Sequence, residues 1–325
     1  MLQSILDKRP ADVARIALVA SGAVLLAACA NKAKEQIGPD LGSQSVSPVD
    51  AGPNPTLDAE LPDAGVVPGE CTRAQGLPGP KMVEVRSAGG PSYCIDSTEV
   101  TQGQYADFVK AKGGAMDGAP ADMSGQPAEC AFNTRYTAGW PDDEPASCRW
   151  TYVAFDPQGG HPDYPVGCVD WCDAYMYCKW AGKRLCGEIG GGSVSTANDT
   201  NARYSQWYNA CSEGGATAYS YGNAYDPSLC QAASVPDASG TFPNHPAAET
   251  PQCHGTTSPF DQIFDMSGNL GEWTDACETQ SVGTAGWCLA AGLTRADPPS
   301  WRCDAGDLMT RDDKNPQVGF RCCLD

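Results

Sequence analysis

Apolar residues recur at helical spacing shortly after Thr101, so that Tyr105, Phe108 and Val109 would share one face of a helix. Thr101 followed three residues later by Gln104 is the pattern of a capping box, in which side chains and backbone amides satisfy each other at a helix start. A pair of glycines then ends the pattern. The sequence predicts an amphipathic helix that begins after Thr101 and ends before these glycines.

A second helix is predicted from about Trp171 to Ala181, because Asp170 can cap its start and Gly182 can end it. A third and weaker helical pattern covers residues 204–211. The other apolar runs are short and lie between Gly, Pro and Asn, which predicts short strands and long loops. The 36 glycines and 26 prolines of the chain favour the same loop-rich interpretation.

The N-terminal residues carry the pattern of an export signal. Basic residues precede an apolar run of about 13 residues, which is too short to span a bilayer. The run ends in Leu26, Ala27, Ala28 and Cys29, which resembles a lipobox, where the signal is cut before a cysteine that becomes lipid-modified. The alternative is an ordinary secretory signal with an incidental cysteine. We expect a cell-envelope protein anchored through Cys29, and Ala30 in place of an aspartate favours the outer membrane.

Residues 30–70 predict a flexible tether. They hold many Pro, Gly, Ser and Asp residues and no aromatic residue, so they cannot offset the entropy of becoming ordered. From residue 71 onward there is neither an internal repeat nor a second linker. The predicted organisation is a signal peptide at 1–28, a lipidated cysteine and disordered tether at 29–70, and one domain at 71–325.

Charge and cysteine content narrow the possible functions. The formal net charge of -19 gives a surface that repels phosphate backbones, so a nucleic acid is not an expected partner. In an exported protein, the 17 cysteines indicate disulfides. Without Cys29, an even number remains for pairing. Local pairing would join Cys71–Cys94, Cys130–Cys148, Cys230–Cys253 and Cys277–Cys288, whereas the sequence does not pair Cys168, Cys172, Cys186 and Cys323.

Four segments resemble the formylglycine-generating enzyme (sulfatase-modifying factor) family and occur in the family's order. They are Cys94 to Thr101 (CIDSTEVT), Tyr164 to Leu185 with its VDWCDA and KWAGKRL runs, Phe264 to Thr274 (FDMSGNLGEWT), and Gly319 to Arg321 (GFR). The third segment is the most specific. The resemblance implies an α+β fold: a single compact, disulfide-rich domain related to C-type lectins, with little regular secondary structure.

The resemblance also implies a structural calcium ion. Its ligands would be the Asp265 side chain, the Gly268 and Leu270 carbonyls and the Glu272 carboxylate. Calcium prefers such oxygen ligands from a flexible loop. The alternative is a tight turn whose buried acid is satisfied by backbone amides. A second calcium site of the family would fall between Tyr225 and Ala248.

Enzymes of this family use Cu(I), held by two cysteines, and O₂ to oxidise a sulfatase cysteine to formylglycine. Thiolates suit Cu(I) because both are soft. Family alignment places this pair near positions 293 and 298, where the chain has Leu293 and Pro298. The resemblance further implies two structural bridges, Cys178–Cys322 and Cys211–Cys303.

The missing pair leads us to expect a non-catalytic binding or scaffold domain, stabilised by calcium, with the membrane and an envelope protein or peptide as partners. The alternative is a copper-dependent oxidase whose cysteine pair has moved to Cys288 or to the four unassigned cysteines, and whose substrate carries Cys-x-Pro-x-Arg. A third hypothesis is an unrelated activity in the family's substrate cleft, flanked by Trp287 and Trp301. These rings would suit a peptide or glycan if exposed.

Overall fold

The computed structural model describes residues 70–87, 90–114, 121–139, 148, 161–230, 245–278, 285–293 and 301–325. These residues belong to one unit that spans Leu61–Asp325. The predicted signal peptide, Cys29 and the tether up to residue 69 lie outside the described residues. Within the described ranges, no helix combines the length and the apolar character needed to cross a membrane.

The first described helix, α1, spans Gln102–Ala111 and confirms the predicted capping box. The Gln104 amide donates to Thr101 Oγ1 at 3.4 Å, and the Thr101 amide donates to Gln104 Oε1 at 3.0 Å. Tyr105, Phe108 and Val109 lie on its buried face, as their spacing predicts.

The second helix, α2, spans Trp171–Trp180, and Asp170 caps it as predicted. The third helix, α3, spans Gln206–Cys211 and therefore begins two residues later than the predicted start at position 204. The Ser205 hydroxyl explains this difference, because it accepts a hydrogen bond from the Tyr208 amide and so caps the helix at Gln206.

Within the described ranges, eight short strands form two four-stranded sheets. The first sheet has the spatial order β1 (Met82–Arg86), β2 (Ser92–Asp96), β8 (Cys322–Leu324) and β3 (Arg184–Leu185), and its pairs are antiparallel. The second has the order β6 (Gly306–Thr310), β5 (Trp287–Ala291), β4 (Gly271–Cys277) and β7 (Val318–Phe320), with β4 and β7 parallel. Only Arg321 separates β7 from β8, so the chain passes from one sheet to the other at this residue.

Aromatic side chains fill the space between the helices and the second sheet. The Tyr177 ring of α2 lies 5.9 Å from the Tyr105 ring and 5.2 Å from the Phe320 ring, measured between centroids. Trp273 of β4 is fully buried, and its indole N–H donates to the Val169 carbonyl at 2.9 Å. Such a ring is stable in a core because its polar group has a partner.

All sixteen cysteines from Cys71 to Cys323 form disulfides. Three of the four local pairs are confirmed: Cys71–Cys94, Cys230–Cys253 and Cys277–Cys288. The two bridges implied by the family resemblance, Cys178–Cys322 and Cys211–Cys303, are also present. The remaining bridge among the unassigned cysteines joins Cys186 to Cys323.

The predicted Cys130–Cys148 bridge is wrong. Cys130 pairs with Cys172, and Cys148 pairs with Cys168. The segment around Cys130 packs on the first turn of α2, where Asn133 Nδ2 donates to Asp173 Oδ1 at 2.8 Å. This packing brings Cys130 beside Cys172, a contact that loop length in the sequence does not reveal.

Candidate functional site

Leu293 occupies the position expected for a copper-binding cysteine and is a core residue. It follows β5, is 1% exposed and belongs to the same apolar cluster as Trp273 and Phe320. A Cβ built on Gly271 would lie only 2.6 Å from the Leu293 Cβ, which shows how closely the two segments pack. Pro298 lies outside the described residues. A buried leucine offers no metal ligand at this position.

The two tryptophans expected to flank a substrate cleft have different environments. Trp301 is 3% exposed and packs within the main apolar cluster. Trp287, at the start of β5, is 48% exposed. Only Trp287 could therefore meet a ligand without rearrangement of the core.

A small cavity of about 70 Å³ lies on the other side of β5 from the main cluster. Its lining includes two carboxylates, Asp199 and Asp304, and the apolar side chains of Trp207, Leu289 and Ala291. Burial raises the pKa of Asp199 above its ordinary value. The cavity has room for a water molecule or a small functional group, not for a whole substrate.

A group of exposed and half-exposed tyrosines lies next to this cavity. The rings of Tyr219 and Tyr221 stack with centroids 5.3 Å apart, and Tyr225 lies 5.9 Å from Tyr219. The Arg302 guanidinium lies 5.9 Å from the Tyr219 ring centre and pairs with Asp304 at 2.7 Å. We call Tyr219, Tyr221 and Tyr225 the tyrosine surface. Aromatic rings of this kind provide contact area at low entropic cost when a ligand binds.

A buried ionic cluster lies where the two sheets meet. Arg321 donates from Nε to both carboxylate oxygens of Glu272, at 2.9 and 2.8 Å, and from Nη2 to Glu272 Oε1 at 2.7 Å. Trp207 Nε1 donates to Glu272 Oε2 at 2.8 Å. The single Nε hydrogen of Arg321 is shared between the two oxygens, so three N–H groups in all donate to Glu272, and each of its oxygens has a donor.

Asp265 is placed in the same cluster by a sharply turned loop. Its own φ is 62°, and Asn269 follows with φ 53°, a left-handed conformation that Asp and Asn tolerate better than most residues. The Ala248 amide donates to Asp265 Oδ2 at 2.7 Å. Burial raises the pKa of Asp265 to about 6, against the lowering effects of this hydrogen bond and of Arg321.

Glu99 is the third carboxylate of the cluster and the one that sequence reasoning missed. It is 0% exposed, and neither of its carboxylate oxygens has a hydrogen-bond partner. Burial, and then the nearby Asp265 charge, raise its pKa well above the ordinary value. The available signal was an acid directly before Val100, in the short segment between β2 and α1. We call Glu99, Asp265, Glu272 and Arg321 the carboxylate cluster.

The four predicted calcium ligands thus lie on one buried loop, but they do not fit the ion equally well. The Gly268 and Leu270 carbonyls are buried and receive no hydrogen bond from the described residues, so they suit a cation. Asp265 Oδ1 accepts no hydrogen bond from the described residues. Glu272 fits less well, because both of its oxygens already accept hydrogen bonds from Arg321 and Trp207. Within the described ranges, no three His, Cys, Asp or Glu side chains are grouped to hold a metal.

Residues 66–325 match the family described as the sulfatase-modifying factor enzyme 1-like domain. The chain belongs to this family. The matched range contains every feature of the site described above.

Two bacterial relatives are formylglycine-generating enzymes by name. The one from Streptomyces coelicolor is 27% identical over 291 residues, which cover 77% of this chain and 84% of that protein. The one from Thermomonospora curvata is 26% identical over 285 residues, which cover 74% and 84%.

Among solved structures, PvdO from Pseudomonas aeruginosa is 18% identical with a TM-score of 0.40, and covers 75% of this chain and 90% of its own. CarF is 17% identical with a TM-score of 0.41, and covers 72% and 86%.

Proposed function

We propose that this protein is a lipid-anchored component of the bacterial cell envelope whose sulfatase-modifying factor domain binds or positions a partner and does not oxidise cysteine. One observation carries the proposal: all sixteen cysteines of the domain are in disulfides. Cu(I) needs thiolates, and a disulfide sulfur is not one. Leu293 adds support, since it fills the core at a position where the family has a ligand.

Copper binding and turnover test the catalytic part of the proposal. The full chain, purified from an oxidising compartment, is titrated with Cu(I) against a colorimetric chelator and incubated with a Cys-x-Pro-x-Arg peptide. We expect no tight copper binding and no conversion of the peptide cysteine, whereas a formylglycine-generating enzyme run in parallel does both. Copper-dependent conversion of the peptide would refute the proposal.

The copper-oxidase alternative, in which the cysteine pair has moved, is tested by thiol labelling followed by copper titration. Cys288 is bonded to Cys277, so this alternative requires that bridge to open under mild reductant. Thiol labelling of the folded protein, located by mass spectrometry, should mark neither cysteine before unfolding. If both are labelled in the folded state, copper titration of the Cys288→Ser variant shows whether this bridge binds the metal.

The tyrosine surface is the face on which we place partner binding. Tyr225 is 58% exposed, so its ring loses water contact only when a ligand covers it. In a search for envelope partners by crosslinking in cells, Tyr225→Ala should reduce capture, and Trp287→Ala serves as the matched control on another exposed aromatic residue. Equal capture by wild type and both variants would place the partner elsewhere.

The anchor is tested separately. Metabolic labelling with a palmitate analogue should mark the wild-type chain and not a Cys29→Ser variant, and only the wild type should remain with membranes after a salt wash. An unlabelled wild-type chain released into the soluble fraction would favour the ordinary secretory signal.

A further inference from the structure

A buried lysine lies against two buried carboxylates beside the first turn of α2. Lys314 follows β6 in the chain, and its Nζ lies 2.7 Å from Asp173 Oδ2 and 3.6 Å from Asp170 Oδ2. None of the three side chains is more than 4% exposed. Nζ also donates to the Thr137 carbonyl at 2.9 Å, which holds the amine in place. An amine and a carboxylate are thus fixed in contact where bulk water does not reach them.

The two oxygens of the Asp173 carboxylate have different partners. Asn133 Nδ2 donates to Oδ1 at 2.8 Å, whereas Lys314 Nζ contacts Oδ2. The Asp170 amide also donates to Oδ2, at 3.3 Å. When a nucleophile attacks a carboxyl carbon, negative charge develops on one oxygen, and an N–H group already directed at that oxygen stabilises it. Asn133 is placed to do this at Oδ1.

Asp170 is placed to carry a proton between the amine and the carboxylate. Its Oδ1 accepts a hydrogen bond from the Asp173 amide at 2.8 Å, and its Oδ2 faces Lys314 Nζ. Burial, followed by the Asp173 charge, raises the pKa of Asp170 to about 7. A group with such a pKa can both accept and release a proton near neutral pH.

A second buried lysine pair of the domain lacks this arrangement. Lys183 Nζ lies 2.6 Å from Asp96 Oδ1, and both side chains are fully buried. Asp96 Oδ2 accepts a hydrogen bond from the Cys322 amide at 2.9 Å. Among the described residues, no second carboxylate forms an ion pair with Lys183. This pair therefore has a nucleophile and an acceptor in contact but no acid to carry the proton.

We propose that Lys314 and Asp173 form an intramolecular isopeptide bond after the chain has folded, with Asp170 as the proton carrier. One proton moves from Nζ to Asp173 Oδ2 along their contact, and the neutral amine attacks Cγ. The Nζ–Cγ bond forms, the Cγ–Oδ2 bond breaks, and Asp170 passes a second amine proton to Oδ2, which leaves as water. An ammonium and a carboxylate thus become one amide and one water molecule. The ion pair is the state of the newly folded chain.

The surroundings favour the amide over the ion pair. Well-oriented groups in fixed contact react as if their concentration were about 10⁵–10⁸ M. Burial disfavours both charges of the ion pair, whereas the amide carries none. Burial lowers the pKa of Lys314, but the Asp173 and Asp170 charges outweigh it and raise this pKa overall. Protonation of Asp173 removes the stronger of these two opposing charges and so helps to free the amine.

Peptide mapping of the full chain tests the bond. The wild type, purified from an oxidising compartment, is kept folded at neutral pH and then denatured, reduced, alkylated and digested with trypsin. We expect the peptide that contains Asp173 to be joined to the one that contains Lys314, at the sum of their masses less one water. Trypsin should not cleave after Lys314, since its amine has become an amide. The peptides that contain Lys183 and Asp96 should be recovered separately.

Three variants assign the roles. Asp170→Asn keeps a good helix cap but removes the proton carrier, so the joined peptide should form at least about 100-fold more slowly, the lower end of the range for general acid–base catalysis. Lys314→Met has no amine and should give no joined peptide. Glu129→Gln changes an exposed glutamate outside this group and should form the bond as the wild type does.

Two results would overturn the inference, which is independent of partner binding and of the anchor. One is a wild-type digest in which the Asp173 and Lys314 peptides are recovered only separately, a result that depends on no variant being able to fold. The other is an Asp170→Asn chain that forms the joined peptide as fast as the wild type, which would show that Asp170 does not carry the proton.

Discussion

Two buried ionic clusters of this domain contain similar groups and satisfy them differently. In the first, which we call the lysine cluster, Lys314 Nζ lies 2.7 Å from Asp173 Oδ2 and 3.6 Å from Asp170 Oδ2. Asn133 donates to Asp173, and the Asp173 amide donates to Asp170 Oδ1 at 2.8 Å. Each carboxylate therefore has a donor. In the carboxylate cluster, Glu99 has none.

The difference teaches that hydrogen-bond donors, and not the count of charges, decide whether a buried acid is structural. The lysine cluster uses acids that also cap α2, so backbone amides are already directed at them. Glu99 lies in an extended segment whose amides are engaged with neighbouring strands. An acid in such a place needs a proton or a cation.

The largest expected effect comes from removing the basic side chain of either cluster, which is Lys314 in one and Arg321 in the other. Lys314→Met or Arg321→Met leaves buried carboxylates uncompensated and should lower the free energy of unfolding by about 3–5 kcal/mol. Urea denaturation in the presence of a chelator measures this loss in the free energy of unfolding. The loss should be larger for Arg321→Met, because two of the three N–H groups that donate to Glu272 belong to Arg321. A loss below about 1 kcal/mol for either variant would contradict burial of the cluster.

A smaller effect is expected from removing one neutral donor. Asn133→Ala deprives Asp173 of a 2.8 Å hydrogen bond and should lower the free energy of unfolding by about 1.5–3 kcal/mol, the range for bonds to charged groups. The same denaturation experiment applies. An unchanged free energy of unfolding would show that water replaces the Asn133 amide as a donor to Asp173. The stability of the lysine cluster would then depend less on its protein donors than its hydrogen bonds indicate.

The lysine cluster should also make stability depend on pH. Burial, followed by the Asp173 charge, raises the pKa of Asp170 from 3.8 to about 7 in the folded state, despite Lys314. Between these pH values the folded state binds more protons than the unfolded state, so the free energy of unfolding should fall as pH rises from about 4 to about 7. Asp170→Asn, which keeps a good helix cap, should flatten this slope. If this pH dependence is unchanged in the variant, it arises from other acidic residues.

The smallest effect is expected at the surface. Arg302 and Asp304 form an ion pair in which both side chains are 43% exposed. Water and salt screen such a pair, so Arg302→Met should change the free energy of unfolding by less than about 1 kcal/mol. A larger loss in the same assay would mean that Arg302 stabilises the tyrosine surface through its contact with Tyr219.

Local patterns predicted α1 and α2 with their caps, because Thr101, Gln104 and Asp170 act within one helical turn. The family resemblance implied the bridges that join distant segments, such as Cys178–Cys322. The sequence could not reveal the Cys130–Cys172 bridge, because it depends on how a loop packs against α2. For the same reason Glu99 was missed: its importance arises from Asp265 and Arg321, which are far away along the chain.

The position of β8 has a consequence for the biogenesis of the protein. In the first sheet β8 lies between β2 and β3, and its adjacent cysteines, Cys322 and Cys323, bond to α2 and to the residue after β3. A chain synthesised only as far as residue 320 cannot join β2 to β3, because the strand that lies between them is still missing. Cys178 and Cys186 then have no disulfide partner, since theirs are Cys322 and Cys323. The first sheet can therefore close only after residues 322–324 have been made, and until then two thiols and the edges of β2 and β3 stay exposed.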